Sequence, residues 1–169
     1  IYHHYVPGAP RSQPIKAWDG KTAPDRDVLD LIARAGTDLV PRANTEAGRK
    51  LEVREQHGVA ALPAHGAAIV AELAQAPTVV RALEFSVPRE QAIAFGRASL
   101  RITWDARPEP SVAAPVALFY GAGTLFNRTD REFLVKAFPV HIRDAAQRVD
   151  LACFFPMPCW NSARLISSA

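Results

Sequence analysis

The chain has 169 residues, enough for one domain, with 49% hydrophobic and 22% charged residues and a formal charge of +3. Its basic residues are scattered and form no stripe, which disfavours nucleic acid as a partner. No apolar run approaches the roughly 18 residues a membrane-crossing helix needs, so no membrane span is expected. Fourteen prolines against nine glycines predict many corners and few long helices. The chain starts at Ile1 and its one methionine is Met157. With Leu165 to Ala169 reading as a strand that simply stops, this suggests a piece of a longer protein.

Ile1 to Val6 alternate and carry aromatics, so they read as a strand ended by Pro7-Gly8. His3 and His4 are neighbours on it and point to opposite faces, which suits a metal poorly. His57, His65 and His141 have no ligand spacing to one another, so no metal site and no cofactor is expected. The clearest helix signal follows. Thr22 can cap, Pro24 suits a first turn, and Asp25 and Asp27 favour the positive end of the helix dipole. Val28, Leu31, Ile32 and Ala35 make one apolar stripe, Gly36 fits the stop, and the helix is expected to cover a sheet.

From Lys50 onward short apolar runs are broken by Gly and Pro. Leu51 to Val53 is a weak strand, and Ala67 to Ala74 is ambiguous between helix and strand. Strands are predicted at Val79 to Val87 and Ser99 to Trp104, with Leu83, Phe85 and Val87, then Leu100, Ile102 and Trp104, each sharing a face. Val112 to Phe119, Phe133 to Ile142, Val149 to Phe155 and Ala163 to Ile166 complete the set. Such a series argues for a mainly β, antiparallel sandwich or jelly roll with one or two short helices.

Phe154-Phe155-Pro156-Met157-Pro158-Cys159-Trp160-Asn161-Ser162-Ala163-Arg164 is the most informative stretch. Pro156 and Pro158 each remove a backbone donor, so the segment cannot lie in the middle of a sheet. It reads as a strand, a rigid bend and a second strand from about Ala163. Cys153 and Cys159 flank the bend without a C-x-x-C spacing; two buried free thiols are expected, with a disulfide as the alternative. Phe119-Tyr120-Gly121-Ala122-Gly123 runs from a strand into a loop that is no phosphate loop. There Phe119 is expected in the core, and Tyr120, pointing the other way, as a ligand contact. Asp105, Glu109, Asp130 and Glu132 lie in or beside loops, and Asp105 opens a turn; turn chemistry is the simpler reading than catalysis.

Three ordered segments, Leu100-Arg101-Ile102-Thr103-Trp104-Asp105, Val112 to Gly123, and the Phe-Phe-Pro-Met-Pro bend with Ser162-Ala163-Arg164, together resemble glycoside hydrolase family 172. Its members include α-D-fructofuranosidases, difructose-anhydride-processing enzymes and D-arabinofuranosidases. The likeness is strongest from Leu83 to Leu165, and Ile1 to Tyr5 resembles the strand ending the family's first jelly roll. It implies a double jelly roll, with residues 1–20 ending the first, 21–78 a helix-containing connection and 79–169 the first part of the second. It further implies a homotrimer and retaining chemistry on a furanoside by two glutamates. The family's acidic glutamate motifs do not occur here, so no catalytic residue is assigned. Carbohydrate is the expected partner, with Tyr120, Trp160 and Arg164 as candidate substrate-binding residues. The family usually carries Phe where this chain has Tyr120 and Cys159, and often a basic residue in place of Trp160, which bears on substrate identity. The competing reading is a non-catalytic jelly roll that binds carbohydrate or builds an oligomeric shell, and a separate chain completing the fold is a third.

Overall fold

The computed structural model describes residues 19–39, 45–46, 49–50, 53–63, 65–75 and 77–168. The expected strand Ile1 to Val6, with His3 and His4, lies outside these residues, as do Leu51 and Glu52. In chain order the elements are α1 Arg26–Ala33, β1 Thr45–Glu46, β2 Arg49–Lys50, β3 Ala67–Leu73, β4 Thr78–Val80 and β5 Leu83–Pro88. A 3-10 turn at Arg89–Gln91 leads into α2 Ala92–Arg97, followed by β6 Ser99–Trp104, β7 Val112–Pro115 and α3 Val116–Phe119. The last strands are β8 Phe133–Ala137, β9 Val140–Ala145, β10 Arg148–Cys153, β11 Met157–Cys159 and β12 Ala163–Ser168. No helix among the described residues is long and apolar enough to cross a membrane.

The fold is mainly antiparallel β. One four-stranded sheet runs β5-β10-β9-β8, a second runs β3-β12-β6-β7, and β4 pairs with β11 in a two-stranded ribbon. β3, β4 and β5 therefore pair in turn with β12, β11 and β10, as a long ribbon whose two arms run in opposite directions. Both four-stranded sheets feed one core. Leu83, Ile142, Val149 and Leu151 from the first sheet and Leu100, Ile102, Ala163 and Leu165 from the second belong to a single buried cluster. That arrangement is consistent with a β-sandwich. Alternation explains it: in β12, Ala163, Leu165 and Ser167 point inward, while Arg164 is exposed. Each fully buried Leu or Ile in that layer contributes about 1.5–3 kcal/mol.

Several elements differ from expectation for identifiable reasons. Ala67 to Leu73 is a strand, because pairing with β12 overrides the helical preference of its alanines. β3 thus joins the second four-stranded sheet through β12. The run from Val79 is divided into β4 and β5, and the run from Phe133 into β8 and β9 by the turn at Phe138-Pro139. Val112 to Phe119 is not one strand, since β7 ends at Pro115 and α3 begins there. Helix α2 gave no expected signal; Gly96 lets it approach its neighbours, because a Cβ there would sit 2.8 Å from Leu125 Cγ.

Helix α1 forms where its stripe places it, but its cap is Asp25, not Thr22, whose hydroxyl bonds Asp19 instead. Pro24 accordingly precedes the cap. The expected covering of a sheet is not seen among the described residues, where Val28, Leu31 and Ile32 remain exposed. The helix is tied to the first sheet just past its end. Gly36 adopts φ +78°, its carbonyl oxygen lies 2.6 Å from His141 Nδ1, and a Cβ there would crowd His141 Cβ at 3.1 Å.

Candidate functional site

The bend between β10 and β12 is built from the residues that marked it in the sequence. β10 ends at Cys153, the chain turns through Phe154-Phe155-Pro156, and β11 follows with β4 as its partner. Pro158 sits opposite Val79 in that ribbon, where a missing donor is tolerated because no third strand needs it. Trp160, Asn161 and Ser162 then carry the chain to β12.

Asp105 holds the bend in place. Its Oδ1 accepts the backbone N–H groups of Trp160 at 2.8 Å, Asn161 at 2.7 Å and Ser162 at 3.4 Å. Its own N–H donates to the Ser162 carbonyl at 2.8 Å. Successive N–H groups curled around an anion make a concave cradle, and here the anion is a side chain of the same molecule. These bonds, that of Asn161 foremost, hold the Asp105 carboxyl below the usual carboxylate range. Asp105 and Ala106 adopt φ +56° and +54°, and Arg107 N–H closes the turn on the Trp104 carbonyl at 3.1 Å. Two consecutive left-handed residues closed in this way form a type I′ turn. Asp tolerates that conformation, but at Ala106 it costs roughly 1–2 kcal/mol. The clamp and the sheet edge hold the turn against that cost.

The clamp leaves Trp160 standing out. Trp160 is 71% exposed and Phe155 60%, while Cys159 between them is buried. Arg164 lies on the outward side of β12, directly across from Glu72 on β3, and its Nε meets Glu72 Oε1 at 3.0 Å. Exposed cross-strand pairs of this kind contribute about 0–1 kcal/mol. Cys153 and Cys159 are both buried free thiols, and burial pushes both thiols up from their ordinary values.

Tyr120 requires a correction. It is fully buried, and its hydroxyl donates to the Leu83 carbonyl at 2.9 Å. Its ring packs edge-on against Phe119 and Phe85, with centroids 5.1 and 6.2 Å apart. Phe119, expected in the core, is only partly buried. The reversal follows from α3: after Pro115 the backbone is helical, so the strand alternation used to orient Phe119 and Tyr120 does not apply. Tyr120 is therefore part of the core, Trp160 stands at the bend, and Arg164 lies on the sheet face. Sequence reading places Asp105 in a turn and prefers turn chemistry to catalysis; nothing local to it signals that it reaches the bend.

Two concavities lie apart from these residues. One of about 660 Å³ is lined by Pro88, Arg89, Glu90, Ala146, Gln147 and Arg148. Its cations are already engaged. Arg89 reaches Asp130 at 2.6 Å and Asp144 at 3.2 Å, and Arg148 donates to the Ser86 hydroxyl and carbonyl, both at 2.8 Å. The other, of about 130 Å³, is lined by Arg89, Ile93, Leu125, Phe126, Asn127 and Asp144. Among the described residues no group of three or more His, Cys, Asp or Glu could hold a metal ion. No protein-family model matches this chain, and no curated protein matches it.

Proposed function

We propose that this chain is part of a carbohydrate-active protein that resembles furanoside-specific glycoside hydrolases, and that its proline bend contacts the sugar. The observation that carries the reading is an indole held out to solvent on a backbone clamped by Asp105. A flat apolar ring with its backbone already ordered offers a sugar face a contact without a further ordering cost. The exposed amide of Asn161 beside it can both donate to and accept from sugar hydroxyls. The nested pairing of β3-β4-β5 with β12-β11-β10 supports a jelly-roll reading of the sandwich. Assembly as a trimer and retaining chemistry on a fructofuranoside or arabinofuranoside belong to the same reading. No residue of this chain is assigned to bond cleavage.

The test is a titration of the full chain with methyl fructofuranosides and methyl arabinofuranosides, followed by Trp fluorescence and calorimetry. Binding that weakens at least about tenfold in Trp160→Ala, with an unchanged unfolding midpoint, supports the proposal. Unchanged binding in a destabilised Trp160→Ala protein would make the indole a packing residue and sink it.

A further inference from the structure

The outward side of the β4–β11 ribbon carries an uncharged row. Exposure along the bend alternates with period two: Pro156, Pro158 and Trp160 are exposed, whereas Met157 is partly buried and Cys159 is buried. Successive side chains of an extended segment point to opposite faces, so the three exposed residues share one side. Val79 stands directly opposite Pro158 and is 49% exposed, while Thr78 and Val80 on either side of it are partly buried. Cross-strand partners lie on the same face, so Val79 joins the row. Pro156 and Trp160 are four residues of extended chain apart, a length of about 13 Å. That is longer than any single furanose ring.

The row ends on polar groups. Past Trp160 come the exposed Asn161 and then the Arg164–Glu72 pair, whose side chains are 54% and 59% exposed. One nitrogen of Arg164 meets Glu72, which leaves further N–H groups as donors. The two charges offset each other and the row itself carries none, so the face suits a neutral ligand. A sugar chain matches this division: its C–H faces lie on an apolar row, and its hydroxyls meet amide, guanidinium and carboxylate groups. The face is also open. Neither of the concavities described above is lined by any of these residues. A site for one small ligand is ordinarily concave and encloses roughly 70–90% of it. A lone ring on an open face leaves one side in water and gains little contact. Successive rings laid along the row add contacts to a surface already fixed by two prolines and the Asp105 clamp, with little further ordering of the protein.

We propose that the ribbon face binds a run of consecutive rings in a neutral furanosyl chain, not a single terminal sugar. The chain lies along Pro156, Pro158 with Val79, and Trp160, and leaves the row at Asn161 and the Arg164–Glu72 pair. The proposal rests on the carbohydrate reading above and adds chain length as the property that the bend selects. A second copy of this chain is the competing occupant of such a row, and the test separates the two.

The full chain is titrated by calorimetry with methyl furanosides and with fructofuranosyl and arabinofuranosyl oligosaccharides from disaccharide to hexasaccharide. In one series, affinity is expected to rise at least about thirtyfold from the methyl furanoside to the tetrasaccharide, well beyond the statistical gain from repeated rings. Tetrasaccharide binding with methyl furanoside binding too weak to measure meets the same expectation. Val79→Asp puts a charge on the row without touching Trp160. It should lower tetrasaccharide affinity at least about tenfold while leaving methyl furanoside affinity within about twofold. The length series in the unaltered protein decides the matter if Val79→Asp does not fold. Equal affinity for methyl furanoside and tetrasaccharide, both lost in Trp160→Ala, overturns this proposal and leaves the single-ring reading standing. Binding of no furanoside of any length removes both. Affinity that rises with length but ignores Val79→Asp puts the chain elsewhere and also overturns it. Sedimentation of the sugar-free protein is the last arm. Self-association abolished by Val79→Asp, with no length dependence in sugar binding, assigns the row to a second copy and overturns the proposal.

Discussion

Two aromatic connections leave strands of the same sandwich and end in opposite places. After β7, Pro115 starts a helical turn that carries Tyr120 into the core, where its hydroxyl bonds the Leu83 carbonyl. After β10, Pro156 and Pro158 keep the chain extended along the edge ribbon, and Trp160 is left facing solvent. Proline does different work in the two settings. At the start of a helical turn it is pre-organised and its missing donor is harmless. Along an edge it stops further strands from adding and holds the loop at the periphery. The lesson concerns anchoring: the buried aromatic is fixed by packing, whereas the exposed one is fixed only through its backbone, by the carboxylate of Asp105.

The strongest way to break this comparison is to remove the buried ring. Tyr120→Ala takes out the largest fully buried side chain, in contact with Phe85 and Phe119. It should cost about 3–5 kcal/mol in urea unfolding, by analogy with other aromatic truncations. A cost under about 1 kcal/mol would mean that Tyr120 is not the core residue described here. Tyr120→Phe sharpens the point, because it keeps the ring and deletes only the bond to Leu83. It should cost about 1 kcal/mol. Furanoside binding should be unchanged in that variant, since the hydroxyl faces a carbonyl in the core.

What was legible in the sequence follows the same division. Period-two alternation located most strands and gave the inward faces of β6 and β5 correctly, with Leu100, Ile102 and Leu83 buried. The proline bend was legible because two missing donors in three residues exclude a central strand whatever the context. Tyr120 was not, since orienting it required knowing that the backbone turns helical at Val116, and Val116 to Phe119 is as apolar as the strand before it. The exposed stripe of α1 shows the converse limit: periodicity identifies an amphipathic helix but says nothing of what lies against it. Asp105 and Asp144 were hidden for a third reason. Each acts on groups brought to it by the sheet, Asp105 across the strand pair β6–β12 and Asp144 across the loop that carries Asn127.

On the exposed side the effects are smaller and more local. Asp105→Ala removes the acceptor for three N–H groups and should leave the sandwich folded while amide signals of Trp160, Asn161 and Ser162 shift and broaden. If those signals stay unchanged, the clamp is not what orders the bend. Acid should imitate the substitution. The folded Asp105 carboxyl titrates below its ordinary value of 3.8, so the stabilisation it provides is fully present above that value and is lost only as pH falls through the lowered one. The bend should thus hold through mildly acidic pH and loosen below the usual carboxylate range, in a pH titration read at the Trp160 amide.

Trp160→Ala should move global stability least, within about 0.5 kcal/mol, because the exposed indole buries little and the clamp uses only its backbone N–H. Its value lies in being paired with Asp105→Ala. If the indole binds sugar because it is held still, Asp105→Ala should weaken furanoside binding even though it leaves the indole in place. Trp160→Ala should then add little to a chain already lacking Asp105. If instead the two losses add fully, the indole and the clamp act independently, and the ordered backbone is not part of how the bend recognises its ligand.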